Sequence, residues 1–192
     1  MLQQDYRDLQ GRFSKIVSIE MFEAVGFAHY DEFFGALERL LAPDGSALLQ
    51  FISVDDQRFK DYLAAPDWIE KYIFPGGELG AVGPMLESVS RVTTMTPIHL
   101  DSIGLHYART LHAWRERFWT RIDDVRAQGY DERFVRMWDL YLAYCEGGFA
   151  ERYIGDYQLL LTRQFNRSDV YGDPPRAVGT TSGVSSPATV FA

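Results

Sequence analysis

Lys15-Ile16-Val17-Ser18-Ile19, then Tyr30 to Leu41, then Ala47 to Ile52: these three stretches decide the fold. The first is short, rich in β-branched residues, and bounded by a turn at Gly11 and by carboxylates after it, so it reads as a buried strand. In the second, Tyr30, Phe33, Phe34, Leu37, Leu40 and Leu41 recur at i, i+3, i+4, i+7, i+10 and i+11. That spacing places them on one face of a helix, which Pro43-Asp44-Gly45 then stops in a turn. Ala47 to Ile52 reads as a second buried strand. The order strand, helix, strand predicts a βαβ crossover and a parallel sheet, a Rossmann-like α/β architecture.

Downstream, residues 55–91 read as a cap or insertion of short helical pieces around Trp68, Ile69 and Tyr72, the loop Phe74-Pro75-Gly76-Gly77, and a helix from Pro84 to Val89. Val92 to Leu100 reads as a strand. A long helix from Gly104 to Ala127 carries Tyr107, Leu111, Trp114, Phe118 and Val125 on one stripe, and a second from Asp131 to Glu146 follows. Tyr157 to Phe165 supplies the last strand. Residues 1–165 are thus expected to form one domain, and 166–192, rich in Gly, Ser, Thr and Pro, a disordered tail. Four strands fall short of the usual five or six, so a preceding part of the sheet is expected to be missing.

The 192 residues are 46% hydrophobic and 15% aromatic, well above what disorder tolerates. A net charge of −8 argues against a nucleic-acid partner, because phosphate binding needs a basic surface. Cys145 is the single cysteine, so the chain can build no disulfide or zinc knuckle of its own, and a reducing cytoplasm fits. No apolar run reaches the roughly 20 residues needed to span a bilayer, and the N-terminus does not read as a signal peptide. Any membrane contact, for instance with the inner membrane, is therefore expected to be peripheral.

In an open α/β sheet, ligands bind outside the carboxyl ends of the strands. Glu20 and Glu23 follow the first strand there, and Gln50 ends the second. Each acid is either a solvated loop residue or part of a site, and Gln50 is either a structural hydrogen-bonder or part of the same site. Tyr107 reads first as a core tyrosine whose hydroxyl needs a partner. His29, His99, His106 and His112 lack metal-ligand spacing, so no metal is expected. Gly76-Gly77 is not a phosphate loop, since it follows an aromatic-proline turn rather than a strand.

Several segments resemble the cyclopropane-fatty-acyl-phospholipid synthase and mycolic acid methyltransferase family: Gln4 to Leu9, Ile16 to Gly26, Lys71 to Gly77, Tyr107 to Phe118, and Phe134 to Phe149. Together they span about residues 4–165. The resemblance implies the C-terminal part of a class I S-adenosylmethionine-dependent methyltransferase with a helical acyl-binding cap, acting on the double bond of an unsaturated acyl lipid. It implies catalytic roles for Glu23 and Tyr107, with Gln50 standing where the synthases carry histidine, and bicarbonate as the base. Gln4, Asp5, Tyr6 and Glu20 would border the cofactor, and Phe22, Phe51, Phe74 and Trp114 would line the acyl channel. An amide at 50 can bond an anion but cannot titrate near neutral pH, so any proton relay through that position is expected to be lost, and the product is a cyclopropane or a methylene or methyl branch. Gly80-Ala81 replaces the family's usual Pro-Ser. The Gly-rich cofactor loop has no counterpart here, so a fragment with weak cofactor binding is expected. The alternatives are a non-catalytic half-domain that needs a partner, and an N-methyltransferase of a small amine.

Overall fold

A computed structural model describes residues 3–65, 67–167 and 189–191. β1 (Phe13–Ile19) leads through two short 3-10 turns into α1 (Tyr30–Leu40), and β2 (Leu41–Val54) returns parallel to β1, giving the βαβ unit expected. The register jumps from Phe13 opposite Leu41 to Lys15 opposite Ser46, so Pro43-Asp44-Gly45 bulges out within β2 instead of separating it from the helix. Next come α2 (Asp56–Ala64), α3 (Trp68–Tyr72), α4 (Val82–Val92), β3 (Thr96–Ser102), α5 (Gly104–Thr120), α6 (Ile122–Ala127), α7 (Glu132–Ala150), β4 (Ile154–Thr162) and β5 (Thr189–Phe191). The sheet order is β3-β4-β2-β1-β5, with β4 antiparallel to both β2 and β3.

Four expectations need correction. β3 and β4 lie two to four residues away from their expected positions. The long helix breaks at Arg121 into α5 and α6, and α6 buries none of its residues. α4 is not cap: its Met85 and Val89 are buried in the main core, and it packs beside α1. Within the expected tail, Thr189–Phe191 forms a strand parallel to β1, while residues 168–188 and 192 lie outside the described residues.

Side chains alternate across a strand with period two, and this sorts β2 into two faces. Leu49 and Phe51 point into the core beneath α1 and α4 with Ile16, Phe33, Phe34, Leu37 and Leu159. Ile52, on the other face, packs with Leu111, Leu142 and Phe149 of the α5–α7 pair. α5 can approach β4 closely because it starts at a glycine: a Cβ on Gly104 would stand 3.2 Å from the Asp156 amide nitrogen and 3.3 Å from the Phe149 ring. Ile103 N–H donates to the Asp156 carbonyl at 2.8 Å in the same place. At the far end of β4, a half-buried ion pair between Arg163 and Glu38 (2.7 Å) ties the strand to α1.

Candidate active site

The chain leaves β1 through Glu20, whose φ of +50° turns it out of the strand into the left-handed region. Its amide donates to the Gln50 carbonyl at 2.9 Å, keeping it at the tip of β2. Glu20 Oε2 accepts from the Tyr107 hydroxyl at 3.1 Å and Oε1 from Gln50 Nε2 at 3.3 Å. Glu23, in the 3-10 turn Phe22–Ala24, accepts the Ile52 N–H through Oε1 at 2.6 Å. Its Oε2 is buried without a partner among the described residues. Burial raises the Glu23 carboxyl above the ordinary range, against the pull of the Ile52 N–H.

Gln50 is bonded at both ends of its amide. Gln158 Nε2 donates to its Oε1 at 3.0 Å, while its Nε2 donates to Glu20 and, at 3.3 Å, to Asp156 Oδ2. Asp156 is fully buried, and its other oxygen has no partner among the described residues. Burial, and then the nearby charges of Glu20 and Glu23, push its carboxyl up to about 7. Burial likewise raises the Tyr107 hydroxyl, with Glu20 adding to it. The Tyr107 ring is held edge-on to Phe149 at 4.9 Å and to Trp114 at 6.2 Å.

These groups stand at one end of a cavity of about 700 Å³, within the roughly 300–1,000 Å³ usual for ligand pockets. Glu20, Glu23 and Tyr107 line it at the sheet edge; Ile52, Ile69, Phe74, Leu79, Leu111, Tyr141 and Phe149 are among its other walls, which also carry Asp67, Glu70 and Glu78. A second chamber of about 520 Å³ shares Glu20, Phe74, Tyr107 and Tyr141 and continues past Trp114, Phe118 and Trp138.

Glu20, Glu23, Gln50 and Tyr107 are thus brought together, with Gln50 one layer behind the wall. Phe74 and Trp114 line the cavities as expected of channel residues. Phe22 and Phe51 do not: strand parity sends Phe51 into the α1–α4 core, and the turn after β1 folds Phe22 against Phe33, Phe34 and Tyr30. Gln4, Asp5 and Tyr6 line neither cavity. Gln4 donates to the Asp8 carbonyl, Arg7 holds the Asp5 carboxyl down at about 2, and Tyr6 packs edge-on to Phe33. Asp156, Gln158, Tyr141 and Cys145 escaped the sequence reading. The Cys145 thiol is on the wall, pushed up to about 12 by burial, as is the Tyr141 hydroxyl. Among the described residues no three His, Cys, Asp or Glu side chains are grouped to hold a metal.

A βαβ unit with acids at the strand ends is the arrangement expected of a Rossmann-like fold, and the profile of the mycolic acid cyclopropane synthetase family matches residues 1–159. The chain belongs to that family. Among curated members it is 42% identical over 160 residues to tuberculostearic acid methyltransferase UfaA1 of Mycobacterium tuberculosis, covering 83% of this chain and 38% of that protein. It is 40% identical over 163 residues to the cyclopropane-fatty-acyl-phospholipid synthase of Escherichia coli strain K12, covering 85% and 41%. The chain therefore spans about two fifths of the length of these relatives. Among solved structures, the mycolic acid cyclopropane synthase CmaA1 complexed with SAH and CTAB superposes with a TM-score of 0.75 at 27% identity, over 84% of this chain and 59% of that one. The fold is that of the Rossmann-like S-adenosylmethionine-dependent methyltransferases.

Proposed function

We propose that the protein to which this chain contributes moves a methyl group from S-adenosylmethionine to the double bond of an unsaturated fatty acyl chain, in lipid biosynthesis. The observation that carries the reading is the lining of the site: a largely apolar cavity with Glu20, Glu23 and the Tyr107 hydroxyl at the sheet edge, and Asp67, Glu70 and Glu78 elsewhere on its wall. An acyl chain fits such walls, whereas a small amine would be expected to need a compact polar cage. When bound, S-adenosylmethionine supplies an electrophilic methyl whose transfer to the alkene leaves positive charge on the substrate. The acid-rich end suits a cationic donor, and Glu20, turned outward from β1, would face it. Glu20 and Glu23 also set negative charge beside the substrate carbon, while the faces of Tyr107, Phe74 and Tyr141 add quadrupole stabilisation. Walls this apolar exclude the water that would otherwise capture the cation.

Glu23 and Tyr107 are the wall residues that would hold bicarbonate, once Glu23 Oε2 turns out of its buried position and the Tyr107 hydroxyl turns from Glu20 to the ion. It would supply a base there. Gln50 itself holds no titratable proton, so removal of a proton from the methylated substrate would fall to that base: loss from the new methyl closes a cyclopropane, and loss after a hydride shift leaves a methylene branch. No described helix is long and apolar enough to cross a membrane. Lipid is reached peripherally from the cytoplasm in this reading, through the exposed Tyr72 and Phe74 at the cavity rim. A second reading, a half-domain inactive without a partner, is favoured by the two-fifths coverage of the relatives.

The test is the fatty-acid profile, by gas chromatography and mass spectrometry, of bacteria expressing this chain or its reading frame continued upstream. An acyl species one CH2 heavier from either form supports methyl transfer. The same species from the extended form alone marks these residues as the half that needs a partner, and silence from both forms counts against the acyl acceptor.

A further inference from the structure

We propose that Asp156 is a positioning residue of this site, holding the proton that its acid cluster must share and fixing the Gln50 amide against Glu20. The inference rests on the methyltransferase reading above. Asp156 sits on β4 directly opposite Ile52, the residue whose N–H holds Glu23, so two acids flank one backbone position. An ionised carboxylate offers about four acceptor positions, and in a dry interior it needs donors for them or a cation. Asp156 has one amide bond of 3.3 Å at Oδ2 and nothing at Oδ1 among the described residues. The titratable groups that face it are acids and a phenol: Glu20 and Glu23 from the end of β1, Tyr107 from α5. β2 and its own strand add no charge, only the neutral amides of Gln50 and Gln158 and the Tyr157 backbone N–H, whose pull on the carboxyl is outweighed by burial and the two acids.

Three carboxyls this close cannot all ionise cheaply, and the most deeply buried one keeps the proton. The raised carboxyl of Asp156 agrees with that assignment. A neutral Asp156 removes one negative charge from beside Glu20 and Glu23, which are on the cavity wall where Asp156 is not. Its influence on substrate therefore runs through Gln50. With Gln158 occupying Gln50 Oε1, the amide NH2 spans Asp156 and Glu20, so it cannot flip without losing three bonds. Gln50 bonds but does not titrate; Asp156 places a titratable group one hydrogen bond behind it.

The experiment compares the unsubstituted protein with Asp156→Asn and Asp156→Glu, in whichever of the two expressed forms makes product, following kcat and KM for acyl lipid from pH 5.5 to about 8.5. The kcat profile should inflect near 7 in the unsubstituted protein, and Asp156→Asn should abolish that inflection with KM changed by less than about twofold. Asp156→Glu should restore it in part. Carbon-13 NMR of the Asp carboxyls in this 192-residue chain gives a readout without turnover: one resonance titrating near 7 that vanishes in Asp156→Asn. Superimposable profiles for the unsubstituted and Asn proteins, or an Asp156 carboxyl titrating below 5, would overturn the role while leaving methyl transfer standing. Absence of product from the unsubstituted protein in both forms would overturn the methyltransferase reading, and this role with it.

Discussion

Glu23 and Asp156 each bury one carboxylate oxygen without a partner, but only Glu23 opens onto the cavity. Glu23→Gln keeps the oxygen that accepts the Ile52 N–H and removes the charge. It should lower turnover by about 100-fold or more while the melting temperature stays within a few degrees. Asp156 has a different signature, in stability. Its carboxyl ionises near 3.8 in the unfolded chain and near 7 in the folded one, so between those values the folded state holds more protons and stability falls as pH rises. The contribution is fully present below 3.8 and lost above 7, at up to about 1.4 kcal/mol per pH unit between them. The raised Glu23 carboxyl acts in the same direction. Asp156→Asn should flatten that decline in thermal melts run from pH 4 to 8. Glu20, Glu23 and Tyr107 were legible in the sequence because the end of a strand and a matching motif point to them. Asp156 was not, since an acid inside an apolar strand gains its meaning from Gln50, 106 residues away.

The βαβ unit was legible because its periods are clean: five apolar residues at helical spacing in α1, and short apolar runs beside it. β3 was not, because most of its side chains are exposed and no apolar alternation marks its ends. α4 was misplaced as cap because amphipathicity shows that a helix packs without showing against what. α7 starts at Asp131, whose side chain accepts the Phe134 N–H at 2.8 Å. Asp131→Ala should therefore cost about 1 kcal/mol in denaturant unfolding with little change in slope. At the head of α5, Gly104→Ala would force the helix from β4 by a few tenths of an ångström. A tilt of about 5° about that point moves Tyr107 by about 0.4 Å and Trp114 by about 1.3 Å, given a rise of 1.5 Å per residue. Activity should therefore fall more steeply on longer acyl substrates than on short ones, as a chain-length series would show.

At the scale of the whole molecule, the sheet carries two unlike faces: a core under α1 and α4, and a cavity between the sheet edge and the α5–α7 cover. β5 lies along the outer edge of β1, pairing Ile16 to Ser18 with Thr189 to Phe191. A chain ended at Arg167 would leave that edge open, and its β1 amides should exchange with deuterium faster than in the 192-residue chain, with self-association rising alongside. The cover meets the sheet at Asp156, where the backbone carbonyl receives Ile103 and the amide nitrogen faces Gly104. The side chain of that same residue anchors the amide at the base of the acid cluster. One residue thus ties the seat of the cover to the base of the acid cluster, so a substitution that loosens either should be felt at both.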